Sequence, residues 1–331
     1  MYSAPRQPIL QVRDLQVRYH TAAGALHAVN GVSFDLRAGE RIGLVGESGS
    51  GKSTVALALL RLIKPPGRIE RGQAWFEGAD LLSLPDRQMR RLRLAAIALV
   101  TQGAMNALNP VRRVRDQFAD ALRDHEIRLS RTELAVRVRD MLGHVGLSPE
   151  LAERYPHELS GGMKQRVVIA IAISLHPKVI VADEPTSALD VVVQRQVIDT
   201  LKRVQAELGA SIILVGHDMG LMAQAVDRLA VMYAGTFAEL CSIRAIFREP
   251  LHPYSQALIA SLPTLERKRE LVGIPGLPPS LLNRPRGCSF RTRCPRAFAR
   301  CATEAPPLRE VRPDHWVACH LHDAAGAPVL Q

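Results

Sequence analysis

The run Gly46-Glu47-Ser48-Gly49-Ser50-Gly51-Lys52-Ser53-Thr54 limits what this chain can fold into more than any other feature. It follows a short apolar segment, Ile42 to Val45, and opens a stretch of helical composition, Lys52 to Leu62. Strand, glycine-rich loop and helix in that order separate a phosphate-binding loop from a chance match. A triphosphate needs many donors and little bulk. Gly46, Gly49 and Gly51 let backbone N–H groups turn inward. Lys52 supplies a point charge, the Ser53 hydroxyl suits Mg²⁺, and the helix adds its positive N-terminal end.

The surrounding pattern predicts an α/β fold. Leu10 to Val17 and Gly31 to Leu36 read as strands about a polar turn at Thr21 to Gly24. Residues 86–175 are rich in Arg, Leu, Ala and Glu at three- and four-residue apolar spacing, which predicts an inserted helical subdomain. Short apolar strands follow at Val179 to Ala182, Ser211 to Val215 and Leu229 to Tyr233, as in a mostly parallel sheet. Beyond Phe247 prolines interrupt any long periodic element, among them Pro253, Pro263, Pro275, Pro285 and Pro295. The expected division is a nucleotide-binding domain over 8–250 and an irregular extension over 251–331, consistent with about two domains for 331 residues.

Two further motifs carry chemistry. The apolar run Val179 to Ala182 ends in Asp183-Glu184. Asp183 suits a water-mediated Mg²⁺ contact, and Glu184 suits a base that orients and deprotonates an attacking water. Leu159-Ser160-Gly161-Gly162 precedes Met163-Lys164-Gln165-Arg166. Ser160 is placed as an N-cap, and the two glycines expose the N–H groups of the helix that follows, a second anion site.

Together these motifs resemble the ABC ATPases over roughly residues 8–250. The order is phosphate loop, Leu-Ser-Gly-Gly signature, hydrophobic strand with Asp-Glu, then Ser187-Ala188-Leu189-Asp190 and a later His217. The resemblance implies a P-loop NTPase core and two cassettes that sandwich two ATP molecules, each loop facing the other's signature. It further implies that Tyr19 stacks on adenine and that Gln102 touches Mg²⁺ and the transmembrane subunit. Glu184 matches the catalytic base, Asp190 the loop that communicates across the dimer, and His217 the histidine that holds the γ-phosphate. Two positions depart from the family pattern: Gly216 stands where Thr or Ser is usual, and Gly103 where an acid is usual.

The extension carries Cys288, Cys294, Cys301 and Cys319, while Cys241 stands alone. Cytosolic chains seldom keep disulfides, so clustered cysteines there point to metal. The spacing is wider than a zinc ribbon prefers, and four thiolates can also hold an iron–sulfur cluster. His252-Pro253-Tyr254, Ile274-Pro275-Gly276, Pro278-Pro279, Ala107-Leu108-Asn109-Pro110 and the cysteine pattern resemble the dipeptide/oligopeptide/nickel importer branch. In that branch the resemblance implies a [4Fe–4S] cluster on the four cysteines. Zinc and free thiols are the alternatives.

The function expected from this resemblance is ATP hydrolysis that energises a membrane importer for di- or oligopeptides. A nickel or other small-solute importer of the same branch is the alternative. The implied partners are a second, paralogous ABC ATPase subunit, two transmembrane permeases and an extracytoplasmic binding protein. The most apolar run, Val167 to Leu175, is far short of the 20 or so residues that span a bilayer. Met1 to Pro8 has no apolar leader segment. The expected location is therefore peripheral, on the cytoplasmic face of the inner membrane. The net charge of +11 includes eight Arg and two Glu between 284 and 313. A soluble ABC ATPase acting on nucleic acid or ribosomes is the reading from another class. One P-loop, one signature and no stacking surface argue against it, and no nucleic-acid partner is expected.

Overall fold

The computed structural model describes residues 7–103, 107–262, 273–323 and 330. Most of the segment read for a leader, Met1 to Arg6, and Pro263 lie outside the described residues. The chain packs as two units. One contains Pro8–Leu36, Ile42–Ser83 and the chain from Gly216 onward; the other contains Arg37–Arg41 and Leu84–Val215.

The first unit begins with β1 (Pro8–Thr21) and β2 (Gly24–Arg37). Then come β3 (Arg41–Val45), β4 (Gly67–Phe76) and β5 (Ala79–Asp80). An antiparallel sheet forms in the order β2-β1-β4-β5. Leu10 pairs with Phe76 and Tyr19 with Gly67, and the register shifts between Arg13 and Gln16. That shift explains the broken alternation in β1: Leu10 and Val12 are buried, then Leu15 and Val17, with one extra residue between the pairs. The helix after the glycine loop runs Lys52–Leu59 and is shorter than its composition predicts. Arg61 takes a left-handed φ of 51°, which no helix continues through.

The second unit holds β6 (Ile97–Val100), β7 (Val179–Asp183) and β8 (Ser211–Val215). All three are parallel, with Ile97 opposite Val179 and Val179 opposite Ser211. Every residue of β7 and β8 is buried. Parallel strands covered on both faces read as unbroken apolar runs, which is why these two were legible. β6 was not, because four residues inside an Arg- and Leu-rich stretch carry no period. The span read as helical therefore contains a strand, and its longer helices start only at Val114–Asp124 and Arg131–His144. The second of these opens on a capping box, with Ser130 and Glu133 each accepting the other's backbone N–H.

The chain then returns to the first unit with β9 (Arg228–Tyr233) and β10 (Thr236–Ser242). β9 runs parallel to β3, and β10 turns back antiparallel to β9. The last 80 or so residues are more regular than their prolines suggest. They contain a helix at Pro253–Ala260, a short one at Ala299–Thr303, and two strands, β11 (Arg309–Arg312) and β12 (His315–Val317). β12 pairs with β10, placing Trp316 opposite Leu240.

Glu239 of β10 explains why this extension stays docked. Its carboxylate is fully buried. It accepts hydrogen bonds from Leu251 N at 2.8 Å, His252 N at 2.9 Å and His315 Nε2 at 2.6 Å. Burial alone would raise its pKa, but these donors and Ser255 outweigh that and lower it. One charge thus ties the start of the extension and its last strand to the same point. Cys241, two residues on, is also fully buried, and desolvation pushes its thiol up to about 12.

His252 caps the helix Pro253–Ala260. Its Nδ1 accepts from Tyr254 N at 3.0 Å, and the ring also hydrogen-bonds the Ala318 backbone. With Nδ1 committed as an acceptor, the imidazole is held neutral. Burial lowers its pKa from 6.5 to about 4. The unfolded chain takes up a proton near 6.5 that the folded chain refuses until about 4, so stability falls as pH drops through that window. The expected loss is roughly 3 kcal/mol. Thermal melts across this range check it, and His252→Asn, which keeps a cap acceptor, should flatten the slope above the carboxylate range.

Candidate functional site

In the first unit, the glycine loop joins the end of β3 to the helix Lys52–Leu59. Gly51 has φ 102°, and a Cβ there would stand 2.2 Å from the Ala28 carbonyl oxygen, so only glycine fits. Lys52 is buried, and its ammonium donates to the Gly46 and Glu47 carbonyls at 2.9 and 3.0 Å and to Ser50 Oγ at 3.4 Å. Negative phosphate oxygens are stronger partners for an ammonium than these carbonyls. Ser53 and Thr54 occupy the first turn of the helix. Tyr19 lies opposite Gly67 near the end of β1, half-buried. His217 is exposed and precedes Asp218, whose side chain caps Met219–Ala225 by accepting from Leu221 N at 3.0 Å.

The loop is also held from the extension. Arg293 donates to both carboxylate oxygens of Glu47, at 2.7 and 2.9 Å. The Glu47 backbone N–H donates to Tyr254 Oη at 2.9 Å. Hydrogen bonding to Glu47 is the main cause that raises the pKa of Arg293.

In the second unit, β7 delivers Asp183, which is buried, and Glu184 just beyond it. Glu184 adopts φ 44°, a left-handed backbone that costs a glutamate of order 1 kcal/mol or more and clusters at functional sites. Its N–H donates to the Val215 carbonyl at 3.0 Å, and its Oε2 accepts from Gln102 Nε2 at 2.9 Å. The structure thus brings Gln102 and Glu184 together, although 82 positions separate them. Ser160 caps the helix Gly161–Ala172, its Oγ accepting from Met163 N at 3.3 Å. Asp190 caps Val191–Leu208, accepting from Val192 N and Val193 N. These two helix starts touch: a Cβ on Gly162 would lie 2.4 Å from Val193 Cγ1, and one on Gly161 3.2 Å from Leu189 Cδ2.

The comparisons with known proteins agree with this geometry. A family model described as ABC transporter matches residues 29–187. A second, described as oligopeptide/dipeptide transporter, C-terminal region, matches residues 238–301. The chain is 44% identical to the oligopeptide transport ATP-binding protein OppD of Salmonella typhimurium, covering 95% of this chain and 94% of that protein. It is 42% identical to OppD of Bacillus subtilis, over 95% of this chain and 88% of that protein. The figure is also 42% for the dipeptide transport protein DppD of Bacillus subtilis, over 96% of each. Among solved structures, a dimeric ATP-binding cassette in a post-hydrolysis state bound to ADP and Pi superposes with a TM-score of 0.64 at 26% identity, over 71% of this chain and 99% of that chain. The fold and the loop define an ABC-type ATPase. Within that class, the chain belongs to the family of oligopeptide and dipeptide transport ATP-binding proteins.

The iron–sulfur expectation is corrected. Cys288, Cys294, Cys301 and Cys319 do line one small cavity, with His252, Phe290 and His320. Among the described residues, however, the group whose ligand atoms all lie within 4.8 Å of one another is Glu239, Cys241 and His315, not the four cysteines. The relatives are named for ATP binding and peptide transport, not as iron–sulfur proteins. Burial pushes the Cys288, Cys294 and Cys319 thiols up, Cys319 to about 11, which favours the protonated form. Zinc has no better support.

Sequence reasoning missed Arg293 and Tyr254 as neighbours of the loop. The Arg293-Cys294-Pro295 and His252-Pro253-Tyr254 patterns contained them, but only as part of the branch resemblance. Four of the eight arginines of the basic extension pair internally: Arg293 with Glu47, Arg300 with Glu304 and Asp323, Arg309 with Asp323 and Arg312 with Glu249.

The contact at the two helix starts gives a stability test. Gly162→Ala should cost about 1–3 kcal/mol, because Val193 is β-branched and cannot swing aside. Val193→Ala in the same chain should recover most of that loss in denaturant melts.

Proposed function

We propose that this chain is the ATP-hydrolysing subunit of a peptide importer and works at the cytoplasmic face of the membrane. The observation that carries the reading is the near full-length similarity to peptide-transport ATP-binding proteins, which runs through both the ATPase core and the C-terminal region. No described helix is long and apolar enough to cross a membrane, so solute passage falls to partner subunits. Two transmembrane permeases, a second and paralogous cassette, and an extracytoplasmic binding protein are the partners proposed. The division proposed is a cassette over 8–250 with its helical subdomain near 86–175, and an extension over 251–331.

In this reading the ATP phosphates are bound by the Lys52 ammonium and by backbone N–H groups of the loop 46–54 other than those of Glu47 and Ser50, which donate to Tyr254 and to the Glu47 carbonyl. Tyr19 stacks on the adenine. Ser53, Gln102 and Asp183 are the residues that would hold Mg²⁺. The metal would supply charge neutralisation between the phosphates. Glu184 takes the proton of the attacking water, and His217 holds the γ-phosphate. Gln102, at 2.9 Å from the Glu184 carboxylate, fixes its orientation. Ser160, Gly161 and Gly162 offer a helix N-terminus to the nucleotide of a partner cassette, and Asp190 reports across that junction.

Lys52→Ala should abolish ATP binding. Glu184→Gln should keep binding and drop turnover by at least about 100-fold, with ATP-dependent dimers accumulating in size-exclusion chromatography. Turnover near wild type would remove Glu184 from its role. For the transport reading, the chain should co-purify from detergent-solubilised membranes with two multi-spanning proteins, and its loss should stop uptake of labelled peptides. Uptake of nickel in place of peptides would transfer the reading to the metal-importing alternative.

A further inference from the structure

Within the phosphate loop, the Glu47 side chain has no part in the backbone cradle that the loop's glycines make, yet it is among the most firmly held groups in the unit. Three parts of Glu47 are fixed by four different residues. Its carboxylate takes both η nitrogens of Arg293. Its N–H is bound by Tyr254 Oη. Its carbonyl accepts from Lys52 Nζ at 3.0 Å and from Ser50 N at 3.1 Å.

Arg293 is itself fully engaged. Its side chain is 3% exposed, against 26% for Glu47. Nε donates to the Pro275 carbonyl at 2.8 Å, one η nitrogen also to Tyr233 Oη at 3.2 Å, and the other to the Ile274 carbonyl at 3.2 Å. The planar fork therefore has one orientation, and a bidentate pair transmits it to the carboxylate. Tyr254 is equally fixed: its ring is 0% exposed and packs on Tyr233 and Phe290, at centroid distances of 4.6 and 5.4 Å.

We propose that Arg293 and Tyr254 are positioning residues for the nucleotide: through Glu47 they hold the phosphate loop in its binding shape, so that the C-terminal extension sets the affinity for ATP. The physical basis is pre-organisation. A loop that must present bare N–H groups has few hydrogen bonds of its own, and any freedom it keeps is lost when phosphates bind. A clamp fixed before binding removes that loss. The effect falls on nucleotide affinity and leaves the chemical step alone, because the hydrogen bonds of Arg293 and Tyr254 to the site are made to the loop residue Glu47.

The proposal rests on the ATP-hydrolysing reading, and the experiment separates the two. The full chain is titrated with MgATP by displacement of a fluorescent ATP analogue, and steady-state ATPase activity gives KM and kcat. Tyr254→Phe, which removes one oxygen, and Glu47→Gln, which removes the charge, should each raise the Kd and KM for ATP by about three- to tenfold with kcat nearly unchanged. Arg293→Ala should raise them by more than about tenfold, and Arg293→Lys, a point charge without the fork, should recover only part. The double variant Glu47→Gln/Arg293→Ala should be no worse than Arg293→Ala alone. If Arg293→Ala fails to fold, the two near-isosteric variants carry the test. Wild-type Kd in Tyr254→Phe and Glu47→Gln, with Lys52→Ala abolishing binding, overturns the clamp and leaves the ATPase reading standing. Wild-type protein that binds no ATP overturns both.

Discussion

A loop that grips phosphate must leave its backbone N–H groups pointing into open space, and that constraint shapes the rest of this molecule. Apart from the Ser50 N–H on the Glu47 carbonyl and the Glu47 N–H on Tyr254, the donors are needed for ligand, so the loop must be fixed by its carbonyls, its anchored side chains and its surroundings. Lys52 binds two loop carbonyls, Gly51 lets the Ala28 backbone approach where any Cβ would collide, and Arg293 and Tyr254 hold Glu47 from outside. The strand before the loop, β3, is buried for four of its five residues and supplies a rigid base. The loop is thus open to ligand because everything around it is closed.

The second dependence runs through Glu239. A carboxylate taken out of water is costly unless every lone pair is met. Here three donors, Leu251 N, His252 N and His315 Nε2, converge on it, and all three belong to the extension. Among its described residues the extension has no large core of its own; its apolar contribution centres on Phe290, Tyr254 and a few aliphatic residues. It is therefore held by a few high-value polar contacts, Glu239 with His315 and Glu47 with Arg293, where a larger domain would rely on area. Half of its arginines are matched to acids in the same unit, so the net charge of the sequence overstates what its surface offers to a polyanion.

Much of the local structure at the candidate site was legible because it is set by short spacings. The phosphate loop, the Ser160 cap with its two glycines and the Asp183-Glu184 strand end each need a fixed short spacing, and each is where that spacing puts it. β7 and β8 were legible because buried parallel strands read as apolar runs. β4 was not, since Gly67 to Phe76 carries three charged residues and two glycines, with Ile69 as its one large apolar residue before Trp75 and Phe76. β11 and β12 were hidden by the prolines around them. The Glu47–Arg293 pair could not be read at all: 246 positions separate its members, and nothing in either local pattern names the other. The cysteines mark the opposite limit. Their spacing and a family resemblance suggested a shared cluster, and neither the packing of their ligand atoms nor the relatives' names bore that out.

The pairing of β12 with β10 has a practical side. The chain has only two tryptophans. Trp75 sits partly exposed in β4, while Trp316 lies across from Leu240, one residue after the histidine that grips Glu239. Replacing Trp75 with Phe would leave a single indole on the final strand. Its emission would then follow the docking and release of the extension directly, so the protein carries its own optical probe for the part that most distinguishes it from a bare cassette.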